Sequence, residues 1–170
     1  VKGKDKAGEF YRKNFAAMFA YVSHRIPEIS DELYKIDDAM KAGFGWEHGP
    51  FQIWDAIGVE KGIELMKAEG YEPAAWVNEM LDKGVKEFYD VRDGNTYYYG
   101  IPEKTHVKIP GQDSFIILDN IRKNKEVFKN SGCVVEDLGD GILNLEFRSK
   151  MNTIGGDVLN GLNRAIDIAE

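Results

Sequence analysis

The residues able to do chemistry are few and scattered along this chain. His24, His48 and His106 are its three histidines. No two stand at the i, i+4 spacing that puts two imidazoles on one helical face for a metal. Each therefore reads as a surface or capping group, and no metal ligand is assigned. Asp37 and Asp55 lie beside strongly apolar positions. A carboxylate among buried residues can act as a general base; more often it caps a helix or pairs with a cation, and that structural role is the favoured reading. Cys133 opens an apolar run and reads as a packed thiol. A single cysteine makes no internal disulfide, and no Cys/His spacing resembles a zinc site. Arg148, Ser149 and Lys150 precede a glycine loop where a phosphate could be held, although two basic residues also suit a solvated strand end. The turn from Gly43 to Phe51 approaches a dinucleotide fingerprint, but its third glycine comes one residue late and no strand precedes it. Nucleotide binding is rejected there. No Gly-x-Ser-x-Gly, P-loop or Cys/His arrangement occurs, so no catalytic residue and no cofactor-binding residue is assigned.

The elements that must position these groups are helical in the first half. Ala7, Phe10, Tyr11, Asn14, Phe15, Met18 and Val22 share one face at helical spacing, which predicts a helix ending near Arg25, before Pro27. Ser30 reads as the N-cap of a second helix with Asp31 and Glu32 in its first turn, Leu33, Ile36 and Met40 on its buried face, and Gly43 and Gly45 at its end. Pro50 opens a short third helix carrying Phe51, Trp54 and Ile57, closed by Gly58. Val59, Ile63 and Met66 define a fourth, stopped by Gly70. Pro73 opens a fifth, with Trp76, Val77, Met80 and Leu81 inward and Gly84 as its stop. These five make a compact all-α unit over residues 5–84.

From Val85 the helical period vanishes. Phe88 to Tyr99 reads as a β-hairpin turning at Asp93-Gly94. Residues 85–113 are therefore hairpin and linker, the linker being 100–113, rich in Gly, Pro and polar residues. Residues 114–128 fit a strand or a short helix. A second hairpin turns at Asp140-Gly141, after which Leu143, Leu145 and Phe147 alternate with Asn144, Glu146 and Arg148, implying one buried and one polar face. The chain closes on a helical pattern over 157–170.

The 170 residues carry a net charge of −7, with 43% hydrophobic and 12% aromatic residues. That supports a real core and argues against nucleic acid or anionic membrane as a partner. No apolar run reaches the ~18 residues of a membrane span, so a cytoplasmic location is expected. The start at Val1 and the helical pattern running to Glu170 favour a piece of a longer polypeptide.

The run from Ile36 to Trp46, followed by Gly49-Pro50-Phe51 and Trp54-Asp55-Ala56-Ile57-Gly58, resembles the C-terminal helical domain of 3-hydroxyacyl-CoA dehydrogenases. Arg25-Ile26-Pro27-Glu28-Ile29 resembles the second copy of that helical repeat in multifunctional β-oxidation proteins, which packs beside the first copy near the acyl-CoA cleft. The family's catalytic Asn is followed by Arg and sits in the first copy; here Asn14 precedes Phe15, so no role passes to Asn14. Leu138 to Phe147, then Ser149 to Asp157, is similar to the first strands and first helix of an enoyl-CoA hydratase (crotonase) domain. In that family the loop after this strand lies beside the adenosine part of CoA, which makes Lys150, Met151 and Asn152 the candidates for CoA contact.

The resemblance implies a mainly α fold: a helical domain over 5–84, hairpin and linker over 85–113, and the start of an incomplete α/β crotonase-like segment over 114–170. It implies a parent protein that oxidises 3-hydroxyacyl-CoA with NAD and hydrates enoyl-CoA. The nucleotide-binding fold, the dehydrogenase's His–Glu pair and the hydratase's catalytic groups are all missing from these residues, so this piece is expected to be structural and inactive alone. A free-standing helical interaction or CoA-binding module is the alternative, and one subunit of a split enzyme is a third reading. Unfilled apolar faces around Leu143, Leu145 and Phe147 imply loose order over 113–170 or pairing with another copy.

Overall fold

The computed structural model describes residues 3–170; Val1 lies outside them. The chain forms two compact units, one holding the residues up to Val91 with Thr96–Gln112, the other Arg92–Asn95 with Asp113–Glu170.

The first unit contains α1 (Lys6–His24), α2 (Leu33–Phe44), α3 (Pro50–Ile57), α4 (Val59–Ala68) and α5 (Ala75–Asp82), then the strands β1 (Tyr89–Arg92), β2 (Asn95–Gly100) and β3 (Thr105–Lys108), in the order β1-β2-β3. Local chemistry fixes the helix ends. Asp5 caps α1 by accepting from the Gly8 N–H at 2.8 Å. Pro50 occupies the first turn of α3, while Gln52 reaches back to accept from the Gly49 N–H at 3.0 Å. Gly45 ends α2 in the left-handed region at φ +66°.

The core is a chain of aromatic rings. Phe15, Phe19, Trp54, Phe88 and Trp76 follow one another at centroid distances of 5.8, 4.9, 4.9 and 5.7 Å. Phe19, Phe51, Trp54 and Phe88 are completely buried. Ring pairs of this kind contribute ~0.5–1.5 kcal/mol each beyond their burial. The Trp54 indole N–H donates to the Val59 carbonyl at 3.0 Å. Position 62 must then be glycine, because a Cβ there would stand 2.1 Å from Trp54 Nε1.

Four sequence expectations are corrected here. The buried side of α1 is Gly8, Ala16, Phe19, Ala20, Val22 and Ser23, whereas Phe10 and Tyr11 are exposed, as are Ala7 and Asn14. The helix carries apolar residues on more than one side. The side that packs inward has the small residues Ala16 and Ala20, which let α4 approach closely. Helix α2 starts at Leu33, two residues after the expected start at Asp31, because the Ser30 hydroxyl accepts from the Glu32 N–H in a local turn. The presumed linker contains β3, which pairs antiparallel with β2 in the register Tyr97↔Lys108 and Tyr99↔His106. Four residues between Gly/Pro-rich flanks give too short a period to read. Buried Tyr98 and Tyr99, with Val107 and Ile109, join this strand pair to the helical core.

The second unit has α6 (Leu118–Lys125), the antiparallel strands β4 (Glu126–Lys129), β5 (Cys133–Gly139) and β6 (Ile142–Phe147), and α7 (Gly156–Ala169). The ambiguous stretch 114–128 thus ends as a helix followed by a strand. Helix α7 packs on the sheet where Gly161 meets Cys133. Both faces of β6 are half-buried, the fourth difference, since Leu143, Leu145 and Phe147 are only partly covered while Asn144 donates to Glu136 of β5 and Glu146 pairs with Arg122 of α6.

Trp54→Ala is expected to cost ~3–5 kcal/mol in denaturant unfolding. Gly62→Ala, which in a free helix would gain up to ~1 kcal/mol, is expected to destabilise by displacing the indole. A Gly62→Ala protein unfolding at the same or higher denaturant concentration would contradict that contact.

Candidate functional site

Asp37 on α2 and Asp55 on α3 are brought together around Tyr89. Asp37 is fully buried. It accepts from the backbone N–H of Phe51 at 2.9 Å and of Gln52 at 3.1 Å, at the start of α3, and from the Tyr89 hydroxyl at 2.7 Å. Asp55 accepts from the N–H groups of Phe88 and Tyr89, both at 2.8 Å. Gly49 completes the contact, because a Cβ there would stand 2.3 Å from Asp37. Burial pushes Asp37 up to about 6 and Asp55 up to about 7, against the opposing pull of these hydrogen bonds. Burial, followed by the Asp37 carboxylate, also raises the Tyr89 phenol far above its ordinary range. All four carboxylate oxygens are occupied by donors on the chain itself, so the pair works as a structural clasp. No general base is free here.

Beside this clasp runs an open apolar groove of about 480 Å³ between α1 and α2, walled by Met18, Ile36, Met40 and Trp46. Arg25 and Lys35 are the charged residues on its lining. The Arg25 guanidinium sits 5.3 Å over the Tyr21 ring and pairs with Glu28 at 2.8 Å.

The candidates from sequence fall elsewhere. Lys150, Met151 and Asn152 form a short 3-10 turn after β6, all three exposed, Met151 at 91%. Met151 and Asn152 have φ of 56° and 54°. The turn is closed by its own chain, Ser149 Oγ donating to the Thr153 carbonyl at 2.7 Å and Thr153 Oγ1 to the Lys150 carbonyl at 2.6 Å. A pocket of about 300 Å³ beside it is lined by Ser149, Thr153, Gly155 and Gly156 but by none of the three candidates. His24 and His106 each meet a backbone carbonyl, of Glu72 and Glu87. Among the described residues no group of His, Cys, Asp and Glu is arranged to hold a metal, and no helix is long and apolar enough to cross a membrane. Cys133 is buried, and burial raises its thiol. Tyr89 and Arg122 were missed. Tyr89 has no one-dimensional signal; Arg122 could have been sought as the partner that Glu136, a carboxylate inside an apolar strand, requires.

Residues 10–94 match the 3-hydroxyacyl-CoA dehydrogenase, C-terminal domain family. The chain belongs to this family. The match takes in the clasp and the groove together. A probable 3-hydroxyacyl-CoA dehydrogenase of Bacillus subtilis is 38% identical over 171 residues, covering 100% of this chain and 21% of the relative. A putative fatty acid oxidation complex trifunctional enzyme of Rickettsia prowazekii is 30% identical over 163 residues, covering 96% of this chain and 20% of the relative. The chain thus spans about a fifth of the length of these curated relatives. No solved structure is significantly similar to it.

The raised carboxyls set a pH dependence. In the unfolded chain both titrate near ~4; in the fold they titrate at about 6 and about 7. Between those values the folded state holds protons that the unfolded state has released. The stability they contribute is therefore fully present below about pH 4 and lost as pH rises through about 6 and about 7. Melting temperature is expected to fall between pH 5 and pH 8, and the non-titrating Asp55→Asn variant should show a shallower fall. Equal slopes for the two proteins would remove Asp55 from this account.

Proposed function

We propose that this chain is the helical, acyl-CoA-cleft-forming part of a 3-hydroxyacyl-CoA dehydrogenase, joined to the start of an enoyl-CoA hydratase domain. The family match over 10–94 carries the dehydrogenase part of this reading. The commitment of Asp37 and Asp55 to backbone donors supports a structural rather than catalytic share for these residues.

The reaction is oxidation of 3-hydroxyacyl-CoA to 3-oxoacyl-CoA, for which NAD, when bound, supplies the hydride acceptor. The residues here do not fit NAD. The Gly43–Phe51 turn follows a helix, α2, and its Gly49 abuts the carboxyl of Asp37, where a pyrophosphate would be repelled. NAD therefore belongs to another part of the protein. What this chain does is wall a cleft with apolar side chains and hold the wall rigid through the clasp.

In the second unit, a β-hairpin followed by a glycine-containing turn and a helix supports the hydratase reading. Lys150, an exposed cation, would meet a CoA phosphate, and the exposure of Met151 and Asn152 on the same turn supports the same reading for them. The partner is an acyl-CoA, the setting cytoplasmic. The exposed stripe Leu159, Leu162 and Ile166 on α7 is suited to further protein, as a second copy or as continuing chain.

The test uses the full-length gene product. NADH-dependent reduction of acetoacetyl-CoA and hydration of crotonyl-CoA are both expected. Lys150→Glu should raise KM for crotonyl-CoA by up to about tenfold, ~1.4 kcal/mol, with the reduction rate unchanged. Absence of any NADH-linked reduction would overturn the dehydrogenase reading. Reduction unchanged after Asp37 and Asp55 are both replaced by Asn in a folded protein would agree with a structural role; loss of kcat at unchanged KM and unchanged melting temperature would contradict it.

A further inference from the structure

Helix α1 has two apolar sides. Ala16, Phe19 and Ala20 turn one of them into the core. Nearly opposite, a second stripe runs at helical spacing from Ala7 through Phe10, Tyr11 and Asn14 to Met18 and Tyr21. Phe10 is 61% exposed, Tyr11 51% and Tyr21 62%. Met18 and Tyr21 also line the groove between α1 and α2, together with Ile29 and Trp46. Stripe and groove are therefore one continuous apolar surface, of the kind that marks an interface.

We propose that a second copy of this chain covers that surface, the two α1 helices packing antiparallel about a two-fold axis at Asn14. The stripe complements itself in that arrangement, as an isologous interface requires. Ala7 of one copy meets Tyr21 of the other, Phe10 meets Met18 at the mouth of the groove, and Tyr11 meets Ala17. Each ring thus faces a small or flexible side chain. Asn14 meets Asn14, and each amide has both a donor and an acceptor for the other, a polar pair that fixes register on an apolar seam. Charge agrees with the direction. Residues 4–13 hold Lys4, Lys6, Arg12 and Lys13 against Asp5 and Glu9, whereas the other end of the helix is followed by Glu28, Asp31 and Glu32 against Arg25 and Lys35. Antiparallel pairing brings the basic end of each helix to the acidic end of its partner and opposes the two dipoles. A whole aromatic side chain covers ~150–250 Å². The exposed parts of the three rings, with smaller shares from Ile29, Trp46 and the rest of the stripe, come to on the order of 600 Å² per copy, the low end for a specific interface. The dimer is accordingly weak and concentration-dependent. It is independent of the acyl-CoA reading.

Sedimentation equilibrium of the full chain, carried up to about 1 mM, the Kd of a very weak association, is expected to show the mass rising toward that of two chains. Tyr21→Asp should hold the chain monomeric at an unchanged melting temperature, since its ring lies mainly in solvent. Asn14→Cys should give a disulfide-linked dimer on mild oxidation, and Glu9→Cys, exposed but off the stripe, should not. Cys133 is buried and does not compete. A chain that stays monomeric at every concentration overturns the proposal. So does a dimer that survives Tyr21→Asp unchanged, which would place the contact elsewhere. Failure of Asn14→Cys to link in a chain that dimerises would overturn the antiparallel register.

Discussion

Two carboxylates hold the helical unit in register with its strands. A helix start leaves N–H groups with no partner in its own turn, and a chain leaving a helix for a strand has the same deficit. Asp37 satisfies the first and Asp55 the second, each from an adjacent helix. The pairs form a relay: α2 grips the start of α3, and α3 grips the start of β1. Tyr89 closes it, since its amide is held by Asp55 and its hydroxyl by Asp37. The ring stack around Trp54 lies over backbone groups that these carboxylates satisfy, and burying those groups unpaired would cost ~1–3 kcal/mol each.

The same constraint explains the family's chemistry of position. The residues that carry the resemblance, from Ile36 through Gly58, are the ones that build the clasp: Asp37 with its glycine neighbour Gly49, Pro50 and Phe51 at the held helix start, and Trp54 and Asp55 one turn on. A recognisable sequence run here is a record of buried hydrogen bonding.

Legibility in the sequence followed the range of the interaction. Glycine and proline signals placed both ends of α3, the C-terminal ends of α4 and α5 and the turn at Asp93-Gly94, because those depend on backbone preferences a few residues wide, whereas α5 starts at Ala75, two residues after the expected start at Pro73. The inward side of α1 was read only in part: Phe15, Met18 and Val22 of the expected stripe pack inward, but Phe10 and Tyr11 are exposed and Ala16, Phe19 and Ala20 fill the centre, a choice that only the partner helix decides. Strand β3 was invisible for a similar reason, being a strand by virtue of β2 beside it. Asp37 and Asp55 stood out as carboxylates in apolar surroundings, but the donors they serve lie 14 to 52 residues away. The Arg122 cluster joins residues 14 and 24 apart across an element that could have been helix or strand, so no local pattern announces it. Met151 and Asn152 came from resemblance alone, Lys150 also from its basic cluster before a glycine loop, and the fold adds that the three share an exposed turn.

The distribution of aromatic side chains has an optical consequence. All three tryptophans and all eight tyrosines lie in the first unit, with none in Arg92–Asn95 or Asp113–Glu170. Trp54 and Trp76 are both in ring contact with Phe88, in rigid asymmetric surroundings. Intrinsic fluorescence and the near-ultraviolet dichroism of tyrosine and tryptophan therefore originate in the helical unit alone. The β4–β5–β6 unit is nearly transparent at those wavelengths, so an added tryptophan there would be a reporter with no background from its own unit.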